Sequence, residues 1–184
     1  MPSLIRITTF LLLLLLSAAV GHAEPNIKVS VDKVGDGFVV EAVAVLPVSV
    51  RVAWEVLTDF DNMATILSNL TSSKVVRRNG NTLRVTQEGT ARYGLFSYDF
   101  SSEREIRLDP PKRIVSHQLS GNARRFDSDA RLQGAEQGAE LRYHAEMVPD
   151  SSIARMFGGS FVRHEIEEQL IAMSAEMEKR DKQQ

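Results

Sequence analysis

The side chains best placed to do chemistry lie on one face of a strand-like stretch, residues 97–108. Successive strand side chains point to opposite sides. Tyr98, Phe100, Ser102, Arg104, Ile106 and Leu108 therefore share one face, and Ser97, Asp99, Ser101, Glu103, Glu105 and Arg107 share the other. The first set must face inward, which places a guanidinium among apolar neighbours. An unpaired buried guanidinium is costly, so Arg104 is expected to meet a carboxylate or a polar group of a ligand. The plainer alternative is a position near the sheet edge from which its head reaches water. The same counting turns Leu83, Val85, Gln87 and Ala91 inward, together with Leu141, Tyr143, Ala145 and Met147. Gln87 and Tyr143 are further candidate ligand contacts, or core residues hydrogen-bonded to each other's surroundings.

No catalytic residue is assigned. His164-Glu165 opens like a helix that holds zinc, but Glu168 stands where a second histidine is required four residues on, so two histidine ligands cannot come from this helix. His117 and His144 fall on different expected strands and read as structural or surface residues. There is no Gly-x-Ser-x-Gly elbow, phosphate loop or dinucleotide glycine fingerprint. Asp127, Asp129 and Arg131 share a strand face and read as a solvated ladder. No cofactor and no metal are implied. Cysteine is absent, which excludes a thiol nucleophile, a thiolate metal site, disulfides and a lipid-modified cysteine.

The elements that must position these groups are legible from periodicity and punctuation. Ile27–Val31 and Phe38–Val45 flank Gly35-Asp36-Gly37 as a hairpin. Ser49 is a candidate N-cap for a short helix carrying Val52, Ala53, Val56 and Leu57, and a second short helix is expected over Asn62–Leu67. Turns at Asn79-Gly80-Asn81, Asp109–Lys112, Ser120–Asn122 and Gln133–Gly138 then separate strands at Val75-Val76, Leu83–Tyr93, Ser97–Leu108, Arg113–Leu119, Phe126–Leu132 and Glu140–Val148. Short connections make sequential neighbours antiparallel. Finally, Val162, Ile166, Leu170, Met173 and Met177 line one face of a helix over Phe161–Glu178. Ile153, Met156, Phe157 and Phe161 surround Gly158-Gly159, which reads as a hinge with an apolar lid or as a turn that plugs the core.

The N-terminus carries a separate message. Met1–Ala23 has one cation, Arg6, an apolar core containing Leu11–Leu16, and small residues ending in Gly21-His22-Ala23. That pattern predicts a signal peptide, residues 1–23, cleaved before Glu24. The alternative, a retained anchor, has only the stretch Leu4–Val20, interrupted by Thr8, Thr9 and Ser17, against a need for about 20 apolar residues. Residues 24–184 suit a single domain with a real core. The whole chain's formal charge is −2, and its basic residues are interspersed with acidic ones, so the stripe that nucleic acid requires is missing. An exported, cysteine-free product of a Gram-negative cell would be periplasmic.

This order of elements resembles the helix-grip fold of the START-like (SRPBCC) superfamily, within it the polyketide cyclase/dehydrase and coenzyme-Q-binding START-domain group. The resemblance rests on Val52-Ala53-Trp54-Glu55-Val56-Leu57-Thr58-Asp59-Phe60-Asp61, on Arg125-Phe126 before a strand, and on the C-terminal helix with Glu165, Glu167 and Glu168. After the first helix many such proteins have an aromatic and a proline, where this chain has Ile66-Leu67-Ser68. The resemblance implies an α+β fold: a curved antiparallel β-sheet wrapped around a long C-terminal helix, with two short helices after the N-terminal strands and a cavity between sheet and helix. Candidate cavity residues are Gln87, Tyr98, Phe100, Arg104, Tyr143, Met156, Phe157 and Phe161. The expected role is an exported binding or transfer protein for a hydrophobic small molecule, whether lipid, isoprenoid quinone or polyketide-like aromatic, with transient membrane contact and no named protein partner. Two alternatives stay open: an aromatase/cyclase-like enzyme using the same cavity, in which Arg104, Tyr143 or a histidine moves protons, and an interaction module with a filled core. One fold hosts many functions.

Overall fold

The structure, a computed structural model, describes residues 26–150 and 158–184. The leader with its cleavage point, and Ile153, Met156 and Phe157, lie outside the described residues. Eight strands form one antiparallel sheet: β1 (Asn26–Val34), β2 (Gly37–Leu46), β3 (Leu70–Asn79), β4 (Thr82–Tyr93), β5 (Phe96–Asp109), β6 (Arg113–Gly121), β7 (Ala123–Ala135) and β8 (Gly138–Pro149). Between β2 and β3 come α1 (Val50–Leu57), a 3-10 turn (Phe60–Asn62) and α2 (Met63–Ile66), and the chain ends in α3 (Gly158–Asp181). The spatial order β1-β2-β8-β7-β6-β5-β4-β3 follows the chain except at one place. There β2 pairs with β8, and the short helices carry the chain across to the far edge at β3. The sheet is curved and open, and with α3 against its inner face it is a helix-grip fold.

Local chemistry accounts for these choices. Ser49 caps α1, its Oγ accepting from the Val52 backbone N–H at 3.3 Å. Val52, Ala53, Val56 and Leu57 then turn inward, and Thr58 closes the helix by donating to the Trp54 carbonyl at 2.8 Å. Gly35 and Gly80 hold the positive φ that the β1–β2 and β3–β4 hairpins require. β3 is longer than the expected Val75-Val76, because bulges at Leu70/Ser72 and Val75/Arg77 break the alternation that would announce a strand. β7 also extends at both ends beyond Phe126–Leu132, pairing from Ala123↔Pro149 to Ala135↔Gly138.

The core is not one continuous block. A first cluster joins α1 to β2, β7, β8 and the C-terminal half of α3 through Val52, Val56, Leu132, Leu141, Leu170 and Met177. A second packs Phe60, Met63 and Leu67 on Leu83, Val85 and Ile106. A third sets Phe38, Val40 and Ala145 against Val162, near the start of α3. The N-terminal half of α3 spans the space these clusters leave.

Candidate functional site

That space is a cavity of about 360 Å³, within the range of about 300–1,000 Å³ usual for small-molecule sites. Its wall is mostly apolar: Leu57, Phe60, Met63 and Leu67 from the short helices, Phe100 and Ile106 from β5, Phe126 and Ala130 from β7, and Phe161, Val162, Ile166 and Met173 from α3. Polar atoms come chiefly from the middle strands. Alternation in β5 brings Ser102 and Arg104 to the inner face, and the same period brings Ser116 and Gln118 from β6, Ser128 from β7 and Tyr143 from β8. The Gln118 amide is engaged, donating to the Ala123 carbonyl at 2.7 Å.

Among the described residues Arg104 is the single cation on this wall. Its Nη2 donates to Gln87 Oε1, and Gln87 in turn donates through Nε2 to Ser73 Oγ at 3.1 Å. Ser73 donates to the Phe60 carbonyl at 2.5 Å, so the chain of hydrogen bonds ends on backbone. The guanidinium carbon stands 5.7 Å from the centre of the Phe126 ring, within cation–π range. Of the two partners expected for it, a carboxylate or a polar ligand group, the first is not found: among the described residues Arg104 makes no ion pair and its Nε has no hydrogen-bond partner. Although Arg104 retains accessible surface, that surface faces the cavity, and burial lowers its pKa from the usual guanidinium value while nearby Tyr143 acts the other way. Burial likewise raises the Tyr143 phenol, with Arg104 and a hydrogen bond to Ser128 opposing the shift. Tyr143 therefore keeps its proton at neutral pH.

The cavity wall also carries a carboxyl group. Glu165 on α3 accepts from Asn69 Nδ2 at 2.9 Å and from the Arg92 backbone. Burial raises its pKa, these hydrogen bonds opposing the rise. Among the described residues Asn69 Oδ1 and Ser116 Oγ, both buried, have no partner. Glu165 is tied through Asn69 to the β3–β4 pairing at Thr90, and Arg104 through Gln87 to Ser73. The cation and the carboxyl thus have separate anchors on the wall.

Six of the eight residues expected around a cavity, Gln87, Tyr98, Phe100, Arg104, Tyr143 and Phe161, are on this wall; Met156 and Phe157 lie outside the described residues. Sequence reasoning missed Ser116, Gln118, Phe126 and Ser128, which the same two-residue period would have found had β6 and β7 been counted for their inner face. It also missed Asn69, which no periodicity announces. Among the described residues no histidine lines the cavity. His117 and His144 line a shallow groove on the sheet's other face with Arg125, Asp127 and Glu146, paired to Asp127 at 2.5 Å and to Glu41 at 2.6 Å. His164 lies 3.4 Å from Glu168. Asp127 and Asp129 do form the expected solvated ladder with Arg113, Arg125 and Arg131. Among the described residues no group of three or more acidic or histidine side chains is placed to hold a metal ion.

Residues 46–174, which span most of this sheet and α3, match the family described as Polyketide cyclase / dehydrase and lipid transport. The chain belongs to this family. Solved structures of the same fold include the Zhui aromatase/cyclase from Streptomyces sp. R1128, with TM-score 0.68 and 17% identity over 77% of this chain and 94% of that one. A STAR-related lipid transfer protein from Xanthomonas axonopodis is similar at TM-score 0.68 and 13% identity, over 83% of this chain and 93% of that one. A START superfamily protein from Mycobacterium smegmatis follows at TM-score 0.59 and 10% identity, over 79% and 97%. At such identities the likeness is one of fold. No curated protein matches the chain in sequence.

Proposed function

We propose that this family member is an exported protein that binds or transfers a hydrophobic small molecule, held between the sheet and α3. The observation that carries the reading is the cavity itself, about 360 Å³ with an apolar wall and a cluster of polar groups around Arg104. A filled core would have left no such space. Removing apolar ligand surface from water would drive binding, at about 25 cal/mol per Å² before association costs. Lipids, isoprenoid quinones and polyketide-like aromatics all meet that description. Export to the periplasm is supported by the leader pattern of Met1–Ala23. Leu95, wholly exposed at the β4–β5 turn, offers an apolar tip for transient membrane contact.

An aromatase/cyclase-like enzyme is the second reading. Tyr143 favours it, because a phenol kept protonated beside a cation could donate to a substrate carbonyl oxygen. Native mass spectrometry of the protein purified from its own cell, followed by organic extraction, separates the two. A stoichiometric apolar species recovered unchanged after incubation supports the carrier, and conversion of that species on the protein supports the enzyme. A reproducibly empty protein counts against stable carriage. The same spectrum reads export: the mass should begin at Glu24, and a full-length product in the membrane fraction rejects cleavage.

A further inference from the structure

Among the described residues, Arg104 is a positive charge in the interior that no ion pair balances. A guanidinium has five N–H donors, and among the described residues Arg104 gives one hydrogen bond, to the neutral Gln87 amide. Its Nε has no acceptor. On a neighbouring strand, Ser116 Oγ is also enclosed without a partner, and both residues line the cavity. An interior with native packing ordinarily leaves few such atoms, and each calls for an explanation. Several other arginines have carboxylate partners, as Arg180 has Asp59 at 2.7 Å and Arg113 has Asp129 at 2.7 Å.

We infer that the ligand is an amphiphilic carboxylic acid, bound as a monoanion with its carboxylate on Arg104 and its apolar body along the cavity toward α3. This rests on the binding-protein reading and narrows it. A carboxylate matches the guanidinium's planar fork and accepts two parallel hydrogen bonds. A single charge fits best, because among the described residues no second lysine, arginine or histidine lines the cavity to balance a dianionic phosphate. Glu165, the acidic side chain on the described wall, is held by Asn69 and the Arg92 backbone and not by Arg104, which leaves the guanidinium to the head group. Phe126, against the guanidinium face, leaves the planar edge for the carboxylate.

Two probes of the same chain length test this, dodecanoate and 1-dodecanol, titrated calorimetrically against delipidated protein at pH 8, where the acid is ionised. The expected result is at least tenfold tighter binding of dodecanoate, with the preference abolished in Arg104→Met. Equal affinity for acid and alcohol in the wild-type protein overturns the anionic head group while leaving apolar binding intact. Failure to bind either probe removes the inference together with the binding-protein reading for this ligand size. The wild-type comparison decides without any variant, so an Arg104→Met protein that does not fold leaves the test standing. In that case Arg104→Lys, which keeps the charge but not the fork, should retain part of the preference.

Discussion

Ser174 sits between Leu170 and Met177 on the buried stripe of α3, 1% exposed and with its hydroxyl unpartnered. A polar group left unsatisfied in a core costs about 1–3 kcal/mol. Ser174→Ala should therefore raise stability, by about 1 kcal/mol after allowance for the lost packing, as measured by urea unfolding; a destabilised variant would show that the hydroxyl has a partner. Glu165 makes a prediction in pH. Its folded pKa is raised, so the unfolded chain releases this proton first, and stability falls as pH climbs from the ordinary carboxyl value through the raised one. Glu165→Gln removes that loss. The variant should match the wild type below pH 4 and equal or exceed it at pH 7, and a Gln variant that is weaker at pH 7 would mean the ionised form is favoured. Asp127 and Asp129 act with the opposite sign. Held low chiefly by their hydrogen bonds to His117 and Arg113, they contribute stability that is present above the ordinary aspartate value and lost as pH falls through their depressed ones.

At the level of elements, the site depends on two joints. Gly89 on β4 passes so close to the start of β3 that an added Cβ would stand 2.1 Å from the Asn69 carbonyl oxygen and 2.8 Å from Phe100 Cζ. Gly89→Ala must therefore displace the Asn69 backbone and, with it, the hydrogen bond to Glu165. We expect a loss of more than about 2 kcal/mol together with weakened ligand binding, measured by urea unfolding and calorimetry; an unchanged variant would show that this corner yields freely. The second joint is at the far end of α3, where Arg180 bonds Asp59 at 2.7 Å and Glu176 at 2.9 Å, tying the helix to the turn after α1. The pairs are partly exposed, so Arg180→Ala should cost only about 1 kcal/mol. Its effect should also shrink in high salt.

For the molecule as a whole, the three-part core explains how a small domain keeps a cavity without collapsing. Two clusters are closed by α1 and α2, and the third by the first turns of α3, so packed side chains of the described elements flank the empty volume. Occupancy should then stabilise the fold by mass action. A ligand at 100 times its Kd adds about 2.7 kcal/mol, which for this size corresponds to about 5–10 °C in Tm. Dodecanoate titrated during thermal unfolding should give a rise that keeps growing with ligand concentration. A flat response would mean that the folded protein does not hold it.

The element order, the buried stripe of α3 and the inward set on β5 were legible because each depends on local periodicity and on the residues that end helices and turns. Arg104 could be placed among apolar neighbours for the same reason. Its actual partners could not be read, since Gln87, Phe126 and Tyr143 come from three other strands whose proximity is set by sheet order and register. The Asn69–Glu165 contact joins residues far apart in the chain, and bulges in β3 hid the strand beside it. Whether the interior was filled or hollow was likewise beyond the sequence, because strand alternation names the residues that face inward but not the distance across which they face one another. Sheet curvature and the seat of α3 decide that distance, and both are properties of the assembled fold.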